Sequence, residues 1–147
     1  TYESVRMMSG VLKATLITLC LTACAANSAE EQAGDDACPI YETRDWIASI
    51  KQASSGDKPF DLLITGVVDL PNPSYETTFR PGPMDRRLPP AFTVFLDAKS
   101  TGGIGVQVID PRPVSFQWQT AITSFRSVSV VCGERVLVEF ENVEEAN

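Results

Sequence analysis

The 147-residue sequence contains no histidine. This absence removes the commonest general base, the Ser-His-Asp and Cys-His arrangements of hydrolases, and the imidazole ligands of zinc and copper sites. Basic residues are also few, since 12 Lys and Arg stand against 19 Asp and Glu and give a net charge of -7. An acidic chain does not suit nucleic acid, whose phosphates require Lys and Arg. We therefore expect no nucleic-acid partner, no metal and no cofactor.

The sequence also lacks an apolar run long enough to span a membrane. The run from Ala14 to Ala23 has about ten residues, whereas a membrane-spanning helix needs roughly 20. Lys13 stands before it, and Met7 or Met8 is the expected translation start, which leaves Thr1 to Arg6 upstream of the gene product. A short apolar run behind a positive charge is typical of a removable signal. We assign residues 1–23 to upstream residues and signal peptide.

The run closes on Leu21-Thr22-Ala23-Cys24. This stretch resembles the lipobox of bacterial lipoproteins. The resemblance implies that the Cys24 thiol receives a diacylglyceryl group, that cleavage makes Cys24 the N-terminus, and that its amine is then acylated, for example with palmitate. Two or three acyl chains hold a domain at a bilayer durably, whereas one chain does not. The alternative is a cysteine that happens to follow an ordinary signal.

The resemblance also carries an expectation about location. Inner-membrane lipoproteins of enterobacteria often have Asp directly after the lipidated cysteine, and here Ala25 and Ala26 follow. For a Gram-negative cell, this implies the periplasmic face of the outer membrane. Residues 24–37 are small, polar and acidic, and they predict a flexible tether. Residues 38–147 are then one domain with a covalent anchor, and the processed chain has a net charge of about -8.

Two cysteines remain once Cys20 is assigned to the signal and Cys24 to the anchor. An even number in an exported chain favours a disulfide between Cys38 and Cys132. The alternative is a pair of buried free thiols.

The predicted domain is mainly β. A short helix is predicted over Arg44 to Ala53, because Trp46, Ile47 and Ile50 have helical spacing. Thr43 can cap its N-terminus. Seven strands are predicted after it, around Phe60–Leu70, Tyr75–Arg80, Phe92–Asp97, Ile104–Val108, Val114–Gln119, Val128–Cys132 and Val136–Phe140. This pattern favours an antiparallel, Ig-like β-sandwich of about seven strands with one short N-terminal helix. A small β-barrel is the alternative.

The last predicted hairpin has two candidate registers. A three-residue turn at Gly133–Arg135 pairs Cys132 with Val136 and makes one face wholly apolar, whereas a two-residue turn pairs Cys132 with Arg135. Because a shift of one residue inverts every side chain, we predict the three-residue turn.

A proline-rich loop is predicted from Pro81 to Pro90, because this stretch lacks a backbone donor at four positions and cannot form a central strand. The charged side chains Arg80, Asp85, Arg86 and Arg87 lie in or beside it. Because prolines reduce the entropy that a loop loses on binding, these residues are the candidate partner surface. The alternative is that Asp85 pairs with a neighbouring arginine and the prolines only shape the loop.

Four stretches are similar to small exported proteins and lipoproteins of Gram-negative bacteria that carry no assigned activity: Asp45–Ala48, Thr65–Tyr75, Pro81–Pro90 and Ser127–Phe140. This similarity brings no functional residues. A partial resemblance to chagasin-type cysteine-protease inhibitors, which are Ig-like and bind through three loops, rests on Asn72–Tyr75, Gly102–Gly105 and Arg112–Pro113. The first of these stretches lacks the Thr-Thr-Gly of that family's motif.

The sequence therefore predicts a non-catalytic, lipid-anchored binding or structural module with an envelope protein as its partner. A cysteine-protease inhibitor is the alternative. A hydrolase could use only carboxylate or Ser-Lys chemistry, and Lys51, Lys58 and Lys99 stand beside turn-like Ser/Gly/Asp segments, where lysines are normally solvated.

Overall fold

The computed structural model describes residues 37–103 and 106–145. The predicted signal peptide, the lipidation site at Cys24 and the tether up to residue 36 lie outside these ranges. So do Ile104 and Gly105, which begin one of the predicted strands.

The described chain is mainly β, as predicted, and forms two sheets. Its strands are β1 (Thr43–Gln52), β2 (Phe60–Leu70), β3 (Tyr75–Met84), β4 (Ala91–Ser100), β5 (Asp110–Thr120), β6 (Ser124–Cys132) and β7 (Arg135–Glu144). One sheet has the order β1-β2-β5 and the other has the order β3-β4-β6-β7. The sheets form a sandwich rather than a closed barrel, and they also touch at one edge through a bridge between Ile50 and Glu145.

One strand pair departs from the predicted antiparallel arrangement. β4 and β6 run parallel, with Ala91 opposite Ser127 and Phe95 opposite Val131. The chain makes this pair by crossing from β4 to β5 in the other sheet and returning to β6, which satisfies the crossover that parallel neighbours require. The four-stranded sheet is therefore mixed.

The predicted helix over Arg44 to Ala53 is wrong, because this segment is the edge strand β1. A β-bulge between Arg44 and Ile47, with Asp45 at a φ of 56°, offsets the alternation. Trp46 and Ile50 then pack against the core, whereas Ile47 is 63% exposed.

The predicted strand at Ile104–Val108 is also wrong over its described part, since Val106 to Ile109 form no strand. The predicted count of seven strands is right only because β1, the segment predicted as a helix, replaces the predicted strand at Ile104–Val108 in the count. In the last hairpin, Cys132 pairs with Arg135 across a two-residue turn, so the predicted three-residue turn is wrong. A bulge next to the turn restores the predicted pairing of Val130 with Val138 but leaves Val136 56% exposed.

The core lies between the two sheets and comes from alternating residues of both. β2 is the central strand of its sheet, as its two apolar faces predict, and its inward side chains Leu62, Ile64 and Val68 are fully buried. Phe92 on β4 stacks on Trp118 of β5 with ring centroids 4.7 Å apart. This contact joins the two sheets, and such aromatic pairs stabilise a core beyond the area they bury.

Cys38 and Cys132 form the predicted disulfide, with Cα atoms 5.2 Å apart. The disulfide marks one end of the sandwich, which we call the disulfide pole. This pole also carries the Pro71–Ser74 turn, the Gly133-Glu134 turn and the described residues of the β4–β5 connection. The opposite end, the distal pole, carries the 53–59, 85–90 and 121–123 connections. Since β4 runs the whole way in ten residues, the poles are about 30 Å apart.

Candidate functional site

The loop from Asp85 to Pro90 joins β3 to β4 at the distal pole. Two prolines before it, Pro81 and Pro83, lie within β3, which is an edge strand and does not need every backbone donor. The prediction that Pro81 to Pro90 cannot form a central strand is therefore confirmed, whereas the prediction of a loop is wrong for residues 81–84, which belong to β3.

Asp85 fixes the conformation of the loop. Its carboxylate accepts hydrogen bonds from the Ala91 N–H at 2.9 Å and from the Arg87 N–H at 3.3 Å. The Arg126 guanidinium donates to its second oxygen at 2.6 Å. These contacts lower the pKa of Asp85, the Ala91 N–H first and the Arg126 side chain next. The loop is thus closed across its base by one ionised carboxylate.

Arg126 on β6 holds the other side of the loop. Its backbone N–H donates to the Pro90 carbonyl at 2.8 Å, and its guanidinium reaches the Pro89 carbonyl at 3.5 Å. Asp85 therefore does pair with an arginine, as the alternative holds, but its partner is Arg126, 41 positions away in the sequence. The loop is therefore attached to the adjacent strand β6 as well as to its own two strands.

The tip of the loop presents Arg86, Arg87, Leu88 and Pro89, all of them exposed. Leu88 is 94% exposed, more than any other large apolar side chain in the described residues. None of the four ion pairs among those residues involves Arg86 or Arg87. Two cations and an apolar side chain therefore project together from a fixed backbone, on a chain whose net charge is negative.

Arg80 does not belong to this tip. It lies on the outer face of the four-stranded sheet, where its guanidinium binds Asp97 at 2.5 and 3.2 Å and covers the Phe95 ring at 4.9 Å. This ion pair lowers the pKa of Asp97. Of the four residues predicted as a partner surface, the structure places Asp85, Arg86 and Arg87 in one loop and Arg80 apart from them.

Two residues of this region were missed by sequence reasoning. Leu88 stands between Arg87 and two prolines, and an apolar residue in such a polar, proline-rich setting is a signal for an exposed contact. Arg126 carries no signal in the sequence, because its role depends on the parallel pairing of β4 with β6.

A groove of about 360 Å³ lies on the outer face of β3 and β4 towards the disulfide pole. It is lined by Glu76, Thr78, Asp97, Lys99, Ser100 and Thr101. Within the part of the chain that the structure describes, no three Cys, Asp or Glu side chains converge as metal ligands. Thr120 is the one buried polar side chain of that part.

The described residues of the three stretches that resemble inhibitor loops lie at the disulfide pole, and Thr101, which directly precedes the second stretch, contacts the first. The Thr101 N–H donates to the Ser74 carbonyl at 2.8 Å. The Arg112 guanidinium donates to the Pro73 carbonyl at 3.3 Å, to the Tyr75 carbonyl and to the Asp110 carboxylate. Arg112 is therefore occupied in tying these segments together.

No protein-family model matches the chain, and neither the curated proteins nor the solved structures contain a match. None of the described residues forms a helix that is long and apolar enough to cross a membrane.

Proposed function

We propose that this protein is a non-catalytic lipoprotein of the bacterial envelope that presents a rigid recognition loop to a protein partner. Cys24 carries the lipid anchor, and the periplasmic face of the outer membrane is its location. Residues 38–147 form the binding module. Its recognition element is the Asp85–Pro90 loop at the distal pole.

One observation carries this proposal: Asp85 closes the base of the loop, whereas Arg86, Arg87 and Leu88 at its tip make no ion pair or core contact within the described chain. A loop that is already ordered loses little entropy on binding. Binding residues are also found disproportionately on loops that a rigid scaffold positions.

The chemistry of the tip indicates the kind of surface it would bind. Arginine guanidinium groups bind carboxylates through paired hydrogen bonds. An exposed leucine gains free energy when it enters an apolar pocket. The partner is therefore a protein surface with an apolar depression bordered by Asp or Glu.

The experiment compares co-purification from native membranes of the wild-type lipoprotein and of the double variant Arg86→Ala/Arg87→Ala. The matched control is Lys51→Ala/Lys99→Ala, which removes the same charge from exposed positions on other elements. We expect a partner that the wild type and the control retain and the arginine variant loses. An unchanged set of partners would end the assignment of the loop.

We also propose that the sandwich is of the immunoglobulin-like class. The three-plus-four division of strands and the domain size favour an immunoglobulin-like module that carries recognition loops at its ends. The parallel pairing of β4 with β6 departs from the antiparallel pattern of that class.

A second candidate is an inhibitor of papain-like proteases. The convergence of Ser74, Thr101 and Arg112 at the disulfide pole favours it. The engagement of Arg112 by three acceptors weighs against it, because this side chain is not free to enter a protease cleft. Failure to inhibit papain at micromolar concentration removes this candidate.

A further inference from the structure

Exposed apolar side chains are concentrated at the disulfide pole. Seven large apolar side chains are exposed in the described residues. Five of them stand at this pole: Tyr41, Val106, Val108, Ile109 and Val136. Their exposed fractions run from 56% to 73%. Single exposed apolar residues are ordinary, whereas several at one end of a domain indicate a contact surface.

The positions of these residues follow from the strand ends. Tyr41 donates its N–H to the Asp69 carbonyl at the end of β2, and its carbonyl accepts from Arg135 beside Val136 at 3.4 Å. Val106 to Ile109 stand directly before Asp110, which pairs with Leu70 on the same strand end. A hydrogen bond of 2.8 Å from the Val108 N–H to the Val106 carbonyl tightens this segment.

Two arginines of this pole are paired with carboxylates of the protein. Arg44 binds Asp69 at 2.8 Å, and Arg112 binds Asp110 at 2.5 Å. Glu42 and Glu134 are exposed at the same pole and belong to none of the ion pairs of the described residues. The apolar side chains, rather than the charges, are therefore the feature of this pole that favours a bilayer.

The same pole is where the chain arrives from the predicted anchor. Ala37 stands there, 13 positions after Cys24 and directly before the disulfide-bonded Cys38. A segment of that length spans at most about 45 Å. To place the distal pole on the bilayer instead, this segment would have to run back along the sandwich, which is about 30 Å long, and would use most of its reach. The disulfide pole is therefore the end of the domain that lies nearest to the anchor along the chain.

We propose that the disulfide pole rests on the lipid bilayer that holds the anchor, with Val106, Val108 and Ile109 inserted at the interface. This inference rests on the proposed lipid anchor and deepens it. The lipid holds the domain at the membrane, and the apolar pole orients it. The Asp85–Pro90 loop then points away from that membrane, towards a partner in the aqueous space.

The experiment uses the full lipidated protein in phosphatidylcholine vesicles whose acyl chains carry bromine, which quenches tryptophan on contact. Two reporters are compared, Val108→Trp at the disulfide pole and Leu88→Trp at the distal pole. Both variants replace exposed side chains, so both should fold. Ile109→Trp provides a second reporter at the disulfide pole. The signal of the unsubstituted protein, which contains Trp46 and Trp118, is subtracted.

We expect the added fluorescence of Val108→Trp and Ile109→Trp to fall at least twofold in brominated vesicles and that of Leu88→Trp to stay unchanged. Equal quenching at the two poles, or none at either, overturns the inference. Mass spectrometry of the same sample shows whether Cys24 is lipidated, and so distinguishes failure of the proposed orientation from failure of the proposed function. A lipidated Cys24 with equal quenching overturns only the orientation, whereas an unmodified Cys24 overturns the proposed function and this inference with it.

Discussion

Asp85 illustrates how much of the candidate site depends on a single side chain. One carboxylate joins the two ends of the loop and binds Arg126 on the neighbouring strand. The sequence shows that an aspartate stands beside two arginines, and it shows that prolines stiffen the stretch. It cannot show which arginine is the partner, because this depends on a strand pairing between positions 41 residues apart. Arg80 lies apart from the loop for a related reason, since its partner Asp97 lies on the next strand.

Replacement of Asp85 by alanine should release the loop without unfolding the sandwich. The Ala91 and Arg87 amides lose their acceptor, and we expect faster hydrogen exchange at both. Amides in the fully buried stretch of β2 should exchange as in the wild type. Unchanged protection of Ala91 would contradict the role given to Asp85.

The stability of the protein in acid should also depend on Asp85. Its pKa in the folded state lies below the ordinary value of 3.8. The ionised carboxylate therefore stabilises the fold above that value, and this contribution is lost as the pH falls through the lowered pKa. Denaturant unfolding between about pH 6 and 2.5 should show a smaller acid loss for Asp85→Asn than for the wild type. Parallel curves for the two proteins would contradict this prediction.

At the scale of the elements, strand ends and edges decide where the sequence pattern succeeds. The alternation of β2, β4, β5 and β6 predicted their buried faces, because regular strands keep a period of two. The pattern failed at β1 and at the β6–β7 turn, where bulges shift the alternation by one residue. It failed at Val106 to Ile109, where the predicted strand is absent and the apolar side chains Val106, Val108 and Ile109 are exposed. Bulges and exposed apolar loops are features of the three-dimensional context.

Val136 and Val130 test the observed register of the last hairpin. The structure leaves Val136 56% exposed and buries Val130 fully. Val136→Ala should change the free energy of unfolding by less than about 0.5 kcal/mol, whereas Val130→Ala should cost about 2 kcal/mol. Urea denaturation in solution measures both. Equal losses would instead support the three-residue turn.

Gly82 on β3 should not tolerate a side chain. A Cβ atom there would stand 2.7 Å from the Thr93 carbonyl oxygen and 2.7 Å from the Phe95 ring. Because the oxygen belongs to the backbone of β4, we expect Gly82→Ala to destabilise the fold by about 1–3 kcal/mol. Gly103→Ala is the control, since the nearest atom lies 3.9 Å away. Thermal unfolding of the two variants provides the comparison.

At the scale of the whole molecule, the disulfide joins the first described residues to the end of β6 across 94 positions. The sequence predicted it from the cysteine count and the exported context alone. A loop of this length corresponds to a stabilisation of about 4.7 kcal/mol in the chain-entropy model, and measured losses on removal are typically about 2–5 kcal/mol. Cys38→Ser/Cys132→Ser should lose an amount in this range. A loss below about 1 kcal/mol would show that the link does not constrain the unfolded chain as that model requires.

The architecture of the molecule separates two surfaces by the length of β4. Five of the seven exposed large apolar side chains of the described residues lie at one pole, and the fixed arginine loop lies at the other. On our proposal, the first pole meets the membrane and the second meets a partner. Composition and motifs could predict an anchor and a partner-binding loop, but not that these lie at opposite ends. That fact comes from the directions of the strands.

The central claim is that a lipid on Cys24 holds this domain at a membrane outside the cytoplasm. The most direct test is the mass of the N-terminal fragment of the protein isolated from native membranes. The account predicts a fragment that begins at Cys24 and carries a diacylglyceryl group. A fragment that begins at another residue, or an unmodified Cys24, would contradict it.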